Sequence, residues 1–364
     1  MIYLLYFCLA AVLSALLTPL VKQAARHFKI LDYPTQPRKI HSQPIPLAGG
    51  VAVYLSFLLS LLLYLNLGRV DFMVVPMKFF YGIIFGGLTL IIGGILDDRF
   101  NLPPKFLWLF PALASLIVVW SGIGVGIQRL TNPFGGQISL GYSLLGIPVS
   151  AIFIWLWMMG MIFTTKFLDG LDGLCSGVAL IGGLTLFALS LGTHINQPIT
   201  ASIAIIFAGS LLGYLFFAFH PASVFLGEGG STFAGFMLGV LSVILGGKIA
   251  TALLVMGIPI LDVVWVIVRR LWYHNSPFKA DRQHLHFRLL DVGFSHRQAV
   301  LVLYSISAVF GSVAVFLQSL GKLIALVILF CVMLALAIFV VMAYKRQHPH
   351  VPDLFDYAED KKSH

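Results

Sequence analysis

Long apolar runs occupy most of this chain and leave it few ways to fold. Eleven of them, at about 2–21, 45–67, 79–96, 106–123, 147–163, 175–192, 198–218, 231–247, 249–268, 299–318 and 323–344, are spread over 364 residues. An apolar helix of roughly 17–25 residues crosses the hydrocarbon core of a bilayer. Lipid offers backbone groups no hydrogen bonds, so each crossing segment must pair its own. The expectation is an all-α polytopic membrane protein with about eleven transmembrane helices. It forms a single integral-membrane domain over 1–344, followed by a polar, mobile tail over 345–364. With 59% hydrophobic and only 10% charged residues, an ordinary soluble domain is excluded. The first run has no basic stretch before it and no small-residue cleavage site, so it reads as a retained helix. Cys8, Cys175 and Cys331 lack ligand spacing, which argues against a disulfide framework or a zinc site.

Placing the basic residues gives the chain a direction. With the N-terminus outside, 18 of the 23 Lys and Arg fall in inside loops or the tail, and 5 fall outside. Cells retain Lys and Arg on the cytoplasmic side, so the C-terminus is expected inside. The same alternation sends Asp97/Asp98, Asp169/Asp172, Glu228 and the 269–298 loop to the cytoplasmic face, although the segment count did not require it. The outside loop 124–146 alternates enough to form a short hairpin. His194 falls in another outside loop and reads as solvated. The net charge of +9 does not by itself indicate nucleic acid, and no nucleic-acid partner is expected.

Only 14 Asp and Glu occur, four of them in the last twelve positions, so an acid at the end of an apolar run carries information. Adjacent carboxylates at Asp97 and Asp98 repel and favour a cation beside them. Asp169 and Asp172, if helical, share a face, and their flanking glycines admit a ligand close to the backbone. The bland alternative is a polar turn in which Lys166 neutralises Asp169. Glu228 sits among glycines ahead of the eighth run, in a setting suited to phosphate at a helix start. Its bland alternative is a capping turn with Ser231 as N-cap. Arg282, His284 and His286 lie in a basic loop that suits a phosphate, a metal or an anionic lipid surface. Asp262 reads as a helix-packing hydrogen-bond partner.

Taken together, GGILDDRFNLPPK, TTKFLDGLDGLCSG, HPASVFLGEGGS, PILDVVWVIVRR and ADRQHLHF, in that order and spacing, resemble the polyprenyl-phosphate N-acetylhexosamine-1-phosphate transferases. The resemblance covers about 1–320, including Arg38-Lys39-x-His41. The His-Leu-His loop looks like the branch using UDP-N-acetylglucosamine or related UDP-sugars, not the branch using the MurNAc-pentapeptide nucleotide. It implies transfer of a sugar-1-phosphate from a UDP-sugar to polyprenyl phosphate with release of UMP, in the bacterial inner membrane, at the start of lipid-linked glycan synthesis. It also implies Mg²⁺, with Mn²⁺ as the alternative ion. By that resemblance Asp97, Asp98, Asp169 and Asp172 are catalytic, and Asp98, Asp172 and Glu228 hold the metal. Lys39, His41, Lys105, Lys166, Arg282, His284 and His286 bind substrate.

The chain departs from the family pattern at five positions. Phe163 and Lys166 replace asparagines, Glu228 replaces an aspartate, Pro111 a glutamine and Phe287 a histidine. These departures motivate a second reading, a relative that binds UDP-sugar or lipid phosphate without turnover and regulates or scaffolds glycan assembly. A transporter is a third reading, disfavoured because the acids sit at segment ends and not at the midplane. A second copy of the chain is retained as an optional partner, with no signature in the sequence.

Overall fold

Each of the eleven apolar runs contains a helix in the computed structural model, which describes residues 1–34, 43–67, 70, 72, 75–127, 129–131, 136–144, 146–192, 195–246, 249–272 and 284–347. The helices are α1 (Ile2–His27), α2 (Gly49–Leu67), α3 (Met77–Phe100), α4 (Leu109–Trp120), α5 (Val149–Leu168), α6 (Leu174–Ser190) and α7 (Pro198–Ala218). They continue with α8 (Gly227–Ile244), α9 (Ile249–Val255), α10 (Gly257–Trp272), α11 (Leu285–Asp291), α12 (His296–Phe316) and α13 (Ser319–Gln347). Among the described residues, eight are long and apolar enough to cross a membrane: α1, α2, α3, α5, α7, α8, α12 and α13. The fourth and sixth runs give shorter helices, α4 and α6.

The ninth run is two helices. α9 and α10 meet at a bend of 82°. Pro259 has no amide hydrogen, and its ring crowds the carbonyl four residues back, so a continuous helix is disfavoured there. Beyond the bend, α10 packs against α5 and α13.

α8 is the centre of the bundle. It packs against α2, α3, α5 and α6, and nearly every residue from Gly227 to Val243 is buried. It is also the least apolar of the eight spanning helices, whereas α13, largely exposed, is the most apolar. A helix enclosed by other helices needs small residues for close packing, while one facing lipid needs hydrocarbon. Aromatic side chains fill the space around α8: Phe233 meets Tyr54, Phe57 and Phe207 edge-on at 5.3, 5.7 and 6.1 Å between ring centres. α1 lies outside, packed on α7 through Gly209 and Gly213, where an added Cβ would meet the α1 backbone.

Strands are few and local. β1 (Leu31–Asp32) pairs antiparallel with β2 (Ile45–Pro46), a ribbon the sequence reading did not anticipate. β3 (Arg129–Thr131) pairs with β4 (Gln137–Ser139), and β5 (Ser143–Leu144) with β6 (Ile147–Pro148), within the loop expected to form a hairpin. α13 extends through Lys345 and Arg346 to Gln347, so the first residues of the expected tail are helical, and 348–364 lie outside the described residues.

Candidate active site

Glycine contacts bring the first acids together. Gly94 on α3 faces Gly229 on α8, and Gly50 on α2 faces Gly230; a Cβ at either Gly94 or Gly50 would overlap the facing backbone. This approach carries the C-terminal end of α3 onto the N-terminal end of α8. There the Glu228 amide donates to the Asp98 carboxylate at 3.2 and 3.3 Å to its two oxygens. Acids at a helix C-terminus oppose its dipole, and here the amide-rich start of α8 offsets that cost for Asp98. Asp97 accepts the Leu102 amide at 2.9 Å, within a turn closed by Asn101 at φ 48°. Gly227, at φ 75°, has Asp98 against it: a Cβ there would stand 2.6 Å from Oδ2.

α8 begins at Gly227, four residues ahead of Ser231. The Ser231 hydroxyl bonds back to the Gly227 carbonyl at 3.1 Å inside the helix, so it is not the N-cap. Glu228 therefore sits in the first turn, where a negative charge is favourable.

Asp169 and Asp172 lie on a turn and not on one helical face. α5 ends at Leu168, and α6 starts after Gly173 at φ 76°. Buried Leu168, Leu171 and Leu174 anchor the turn, and the Tyr304 hydroxyl donates to the Gly173 carbonyl at 2.5 Å. The two carboxylates have different neighbours. Asp172 accepts from the Ala222 amide at 3.1 Å and meets His220 Nδ1 at 2.6 Å, while its own amide donates to His296 Nε2 at 2.8 Å. Asp169 faces the other acids: burial, then the Glu228 and Asp172 carboxylates, push its carboxyl up to about 8.

Lys166 pairs with Glu228, not with Asp169. Its Nζ stands 2.5 Å from Glu228 Oε1, and it lies 5.9 Å from the centre of the Phe163 ring. Asp97 is also within its electrostatic reach. Three of the five positions that depart from the family pattern thus meet at one point.

The basic loop is held from below. Asp262, 7% exposed, accepts the Leu285 amide at 2.9 Å, and its second oxygen lies 2.8 Å from His284 Nδ1. One carboxylate thus caps α11 and fixes the His284 ring, leaving Nε2 for other contacts. Phe167 stacks on His284 with ring centres 5.9 Å apart. His286 points inward. Its Nε2 packs against Gly170 and, among the described residues, has no hydrogen-bond partner. Burial lowers its pKa to about 3, so the ring is neutral. Phe287 lies 4.3 Å from the His286 ring centre.

Not every expected residue joins this group. Lys39, His41 and Arg282 lie outside the described residues. Lys105 is exposed, its ammonium 5.2 Å over the Phe106 ring. Pro111 is buried in α4. Three residues not assigned to the site from the sequence do join it: His220, His296 and Asp262. An acid within an apolar run was the available signal for Asp262, while nothing local marked the two histidines.

The donor chemistry suits a hard divalent cation, since carboxylate oxygens are the ligands Mg²⁺ and Mn²⁺ take. Burial raises the Asp169 carboxyl first, and the neighbouring Glu228 and Asp172 carboxylates add to it, so the acids repel one another here. The set Asp98, Asp172 and Glu228 is divided, however: Asp172 is engaged by His220 and Ala222, and Glu228 by Lys166. Among the described residues, the three whose ligand atoms all lie within 4.8 Å of one another are Asp172, His220 and His296. Those two imidazoles stack face to face, 4.1 Å apart at 13°. A ligated ion lies in the plane of each ring, which parallel stacked rings do not permit, so this trio is a hydrogen-bonded network. Of the gathered acids, Asp97, Asp98 and Asp169 make no side-chain ion pair among the described residues.

Helices of membrane-spanning length, with acids from three separate elements collected at one end, define a polytopic membrane protein with one acidic site. A family model for glycosyl transferase family 4 matches residues 80–246, a stretch holding all five of these acids. The chain is 30% identical over 345 residues to a probable undecaprenyl-phosphate N-acetylglucosaminyl 1-phosphate transferase of Bacillus subtilis, covering 91% of this chain and 89% of that protein. It is 34% identical over 327 residues to the decaprenyl-phosphate N-acetylglucosaminephosphotransferase of Mycolicibacterium smegmatis, covering 81% and 77% respectively. With the undecaprenyl-phosphate alpha-N-acetylglucosaminyl 1-phosphate transferase of Escherichia coli K12 it shares 30% identity over 309 residues, 81% of this chain and 78% of that one. The chain belongs to glycosyl transferase family 4, in its N-acetylglucosamine-1-phosphate branch.

Proposed function

We propose that the protein transfers N-acetylglucosamine-1-phosphate from UDP-N-acetylglucosamine to polyprenyl phosphate at the cytoplasmic face of a bacterial inner membrane. An oxygen of the lipid phosphate forms a bond to the β-phosphorus of the donor, the bond from that phosphorus to the bridging oxygen breaks, and UMP departs with that oxygen. The observation that carries this reading is the meeting of Asp97/Asp98, Asp169/Asp172 and Glu228 at one end of the bundle. The relatives' acceptors and sugar support the choice of substrates, and the surplus of Lys and Arg in the same loops supports the orientation.

Phosphoryl transfer asks a protein for positioning and charge neutralisation more than for covalent chemistry. Lys166 offers an ammonium, a point charge suited to a phosphate oxygen. His284, its Nδ1 committed to Asp262, presents Nε2 in a fixed direction. Asp98 and Asp169 would hold Mg²⁺ or Mn²⁺, which when bound neutralises the diphosphate. The Asp172–His220–His296 network holds the turn between α5 and α6 in place, and Asp169 with it.

Purified protein, given undecaprenyl phosphate, a divalent cation and a panel of UDP-sugars, should release UMP most rapidly from UDP-N-acetylglucosamine. Asp97→Asn and Asp98→Asn should each lower turnover by about 100-fold or more, the scale for losing a preorganised charged group. No UMP from any sugar, with nucleotide binding intact, would favour the non-catalytic relative.

A further inference from the structure

We propose that Lys166 is a built-in cation of this site. In this account its ammonium stands where a divalent ion would otherwise meet Glu228, and it contacts the donor's diphosphate directly. Lys166 is the only Lys or Arg that the structure, among the described residues, pairs with one of the five gathered acids. At 2.5 Å from Glu228 Oε1 it takes that carboxylate as its own partner. The pair is sheltered, with side chains 15% and 19% exposed, so solvent screens it only partly. The Phe163 ring lies on one side of the ammonium and Asp97 is within its reach, which confines the charge to the space between α5, α8 and the end of α3. A lysine has three donors; one on Glu228 leaves others for phosphate oxygens.

Two consequences follow. A metal ion approaching Glu228 must displace the ammonium or bear its repulsion, so the site binds a divalent ion more weakly than it would with Glu228 unpaired. A nucleoside diphosphate, by contrast, finds a positive charge already present. The diphosphate part of this inference rests on the transferase reading. The metal part does not, because it is read without any donor, so the two can fail separately.

The test is a titration of the purified, detergent-solubilised protein with Mn²⁺ alone, followed by electron paramagnetic resonance or calorimetry. Lys166→Asn, which frees Glu228, should bind Mn²⁺ roughly tenfold or more tighter than wild type, the scale of one charge-assisted contact. Lys166→Asn combined with Glu228→Gln should return to wild-type affinity. In EDTA, wild type should bind UDP-N-acetylglucosamine within about threefold of its affinity in Mg²⁺, while Lys166→Asn should lose about tenfold and regain it with Mg²⁺. Lys166→Gln, which keeps the length and a polar head, provides a second fold-preserving comparison. Equal Mn²⁺ affinity in wild type and both single variants, or wild-type nucleotide binding abolished by EDTA, would overturn the proposal.

Discussion

Replacing Asp262 by Asn separates two tasks that one buried carboxylate performs. Its first oxygen accepts the Leu285 amide at 2.9 Å and its second lies 2.8 Å from His284 Nδ1. An amide side chain keeps an acceptor for Leu285, so α11 remains capped, but it puts an N–H where the imidazole needs an anion. A hydrogen bond to a charged group contributes about 1.5–3 kcal/mol, so its loss should lower kcat/KM for UMP release about 10- to 150-fold. Because the capping contact survives, the melting temperature should stay near that of wild type. Asp262→Ala loses both contacts. It leaves the Leu285 amide buried without an acceptor and should cost about 1–3 kcal/mol more in stability. The assay pairs steady-state UMP release with thermal unfolding in the same detergent. An Asn variant within about twofold of wild-type kcat/KM, or an Ala variant melting with wild type, would refute the reasoning.

Gly94→Ala places a Cβ against the Gly229 backbone. Backbone cannot rotate away as a side chain can, so the cost should reach the upper part of the about 1–3 kcal/mol seen for overpacked cores. Thermal unfolding should show it, and an unchanged melting temperature would mean that the α3–α8 approach is looser than described. His286, neutral and buried, has a folded pKa of about 3, below the ordinary histidine value. Between pH 6.5 and 3 the unfolded chain takes up a proton that the folded chain refuses, so stability falls as pH drops through that window. At pH 5 the difference is about 2 kcal/mol. Unfolding of wild type and His286→Gln across pH 5–7.5 checks this: relative to the variant, wild type should lose about 2 kcal/mol on going from pH 7.5 to pH 5, and an unchanged difference between the two would refute it.

The helices were legible because hydrocarbon imposes a length and a composition on every crossing segment. The meeting of the acids was legible too, because topology alone assigns each loop to a face. What the sequence could not give is set by backbone geometry and distance. α9 and α10 read as one run because hydropathy does not register the bend that Gly257 and Pro259 permit. Asp169 and Asp172 would share a face if helical, but the glycines between and after them make a turn that sends one towards Glu228 and the other towards His220. The bland alternative paired Lys166 with its neighbour in sequence, Asp169; its partner lies on α8, 62 positions along the chain. Asp262 reads from the sequence as a helix-packing hydrogen-bond partner, and it is one: it joins α10 to the start of α11 through Leu285 and His284.

In the proposed reaction a phosphorus atom moves together with the sugar. UDP-N-acetylglucosamine labelled with ³²P in its β-phosphate, incubated with the protein and undecaprenyl phosphate and then extracted with organic solvent, tests it directly. The label should enter the lipid phase in step with UMP appearing in the aqueous phase. Label retained in water as UDP while the sugar enters the lipid, or no transfer of either, would contradict the account.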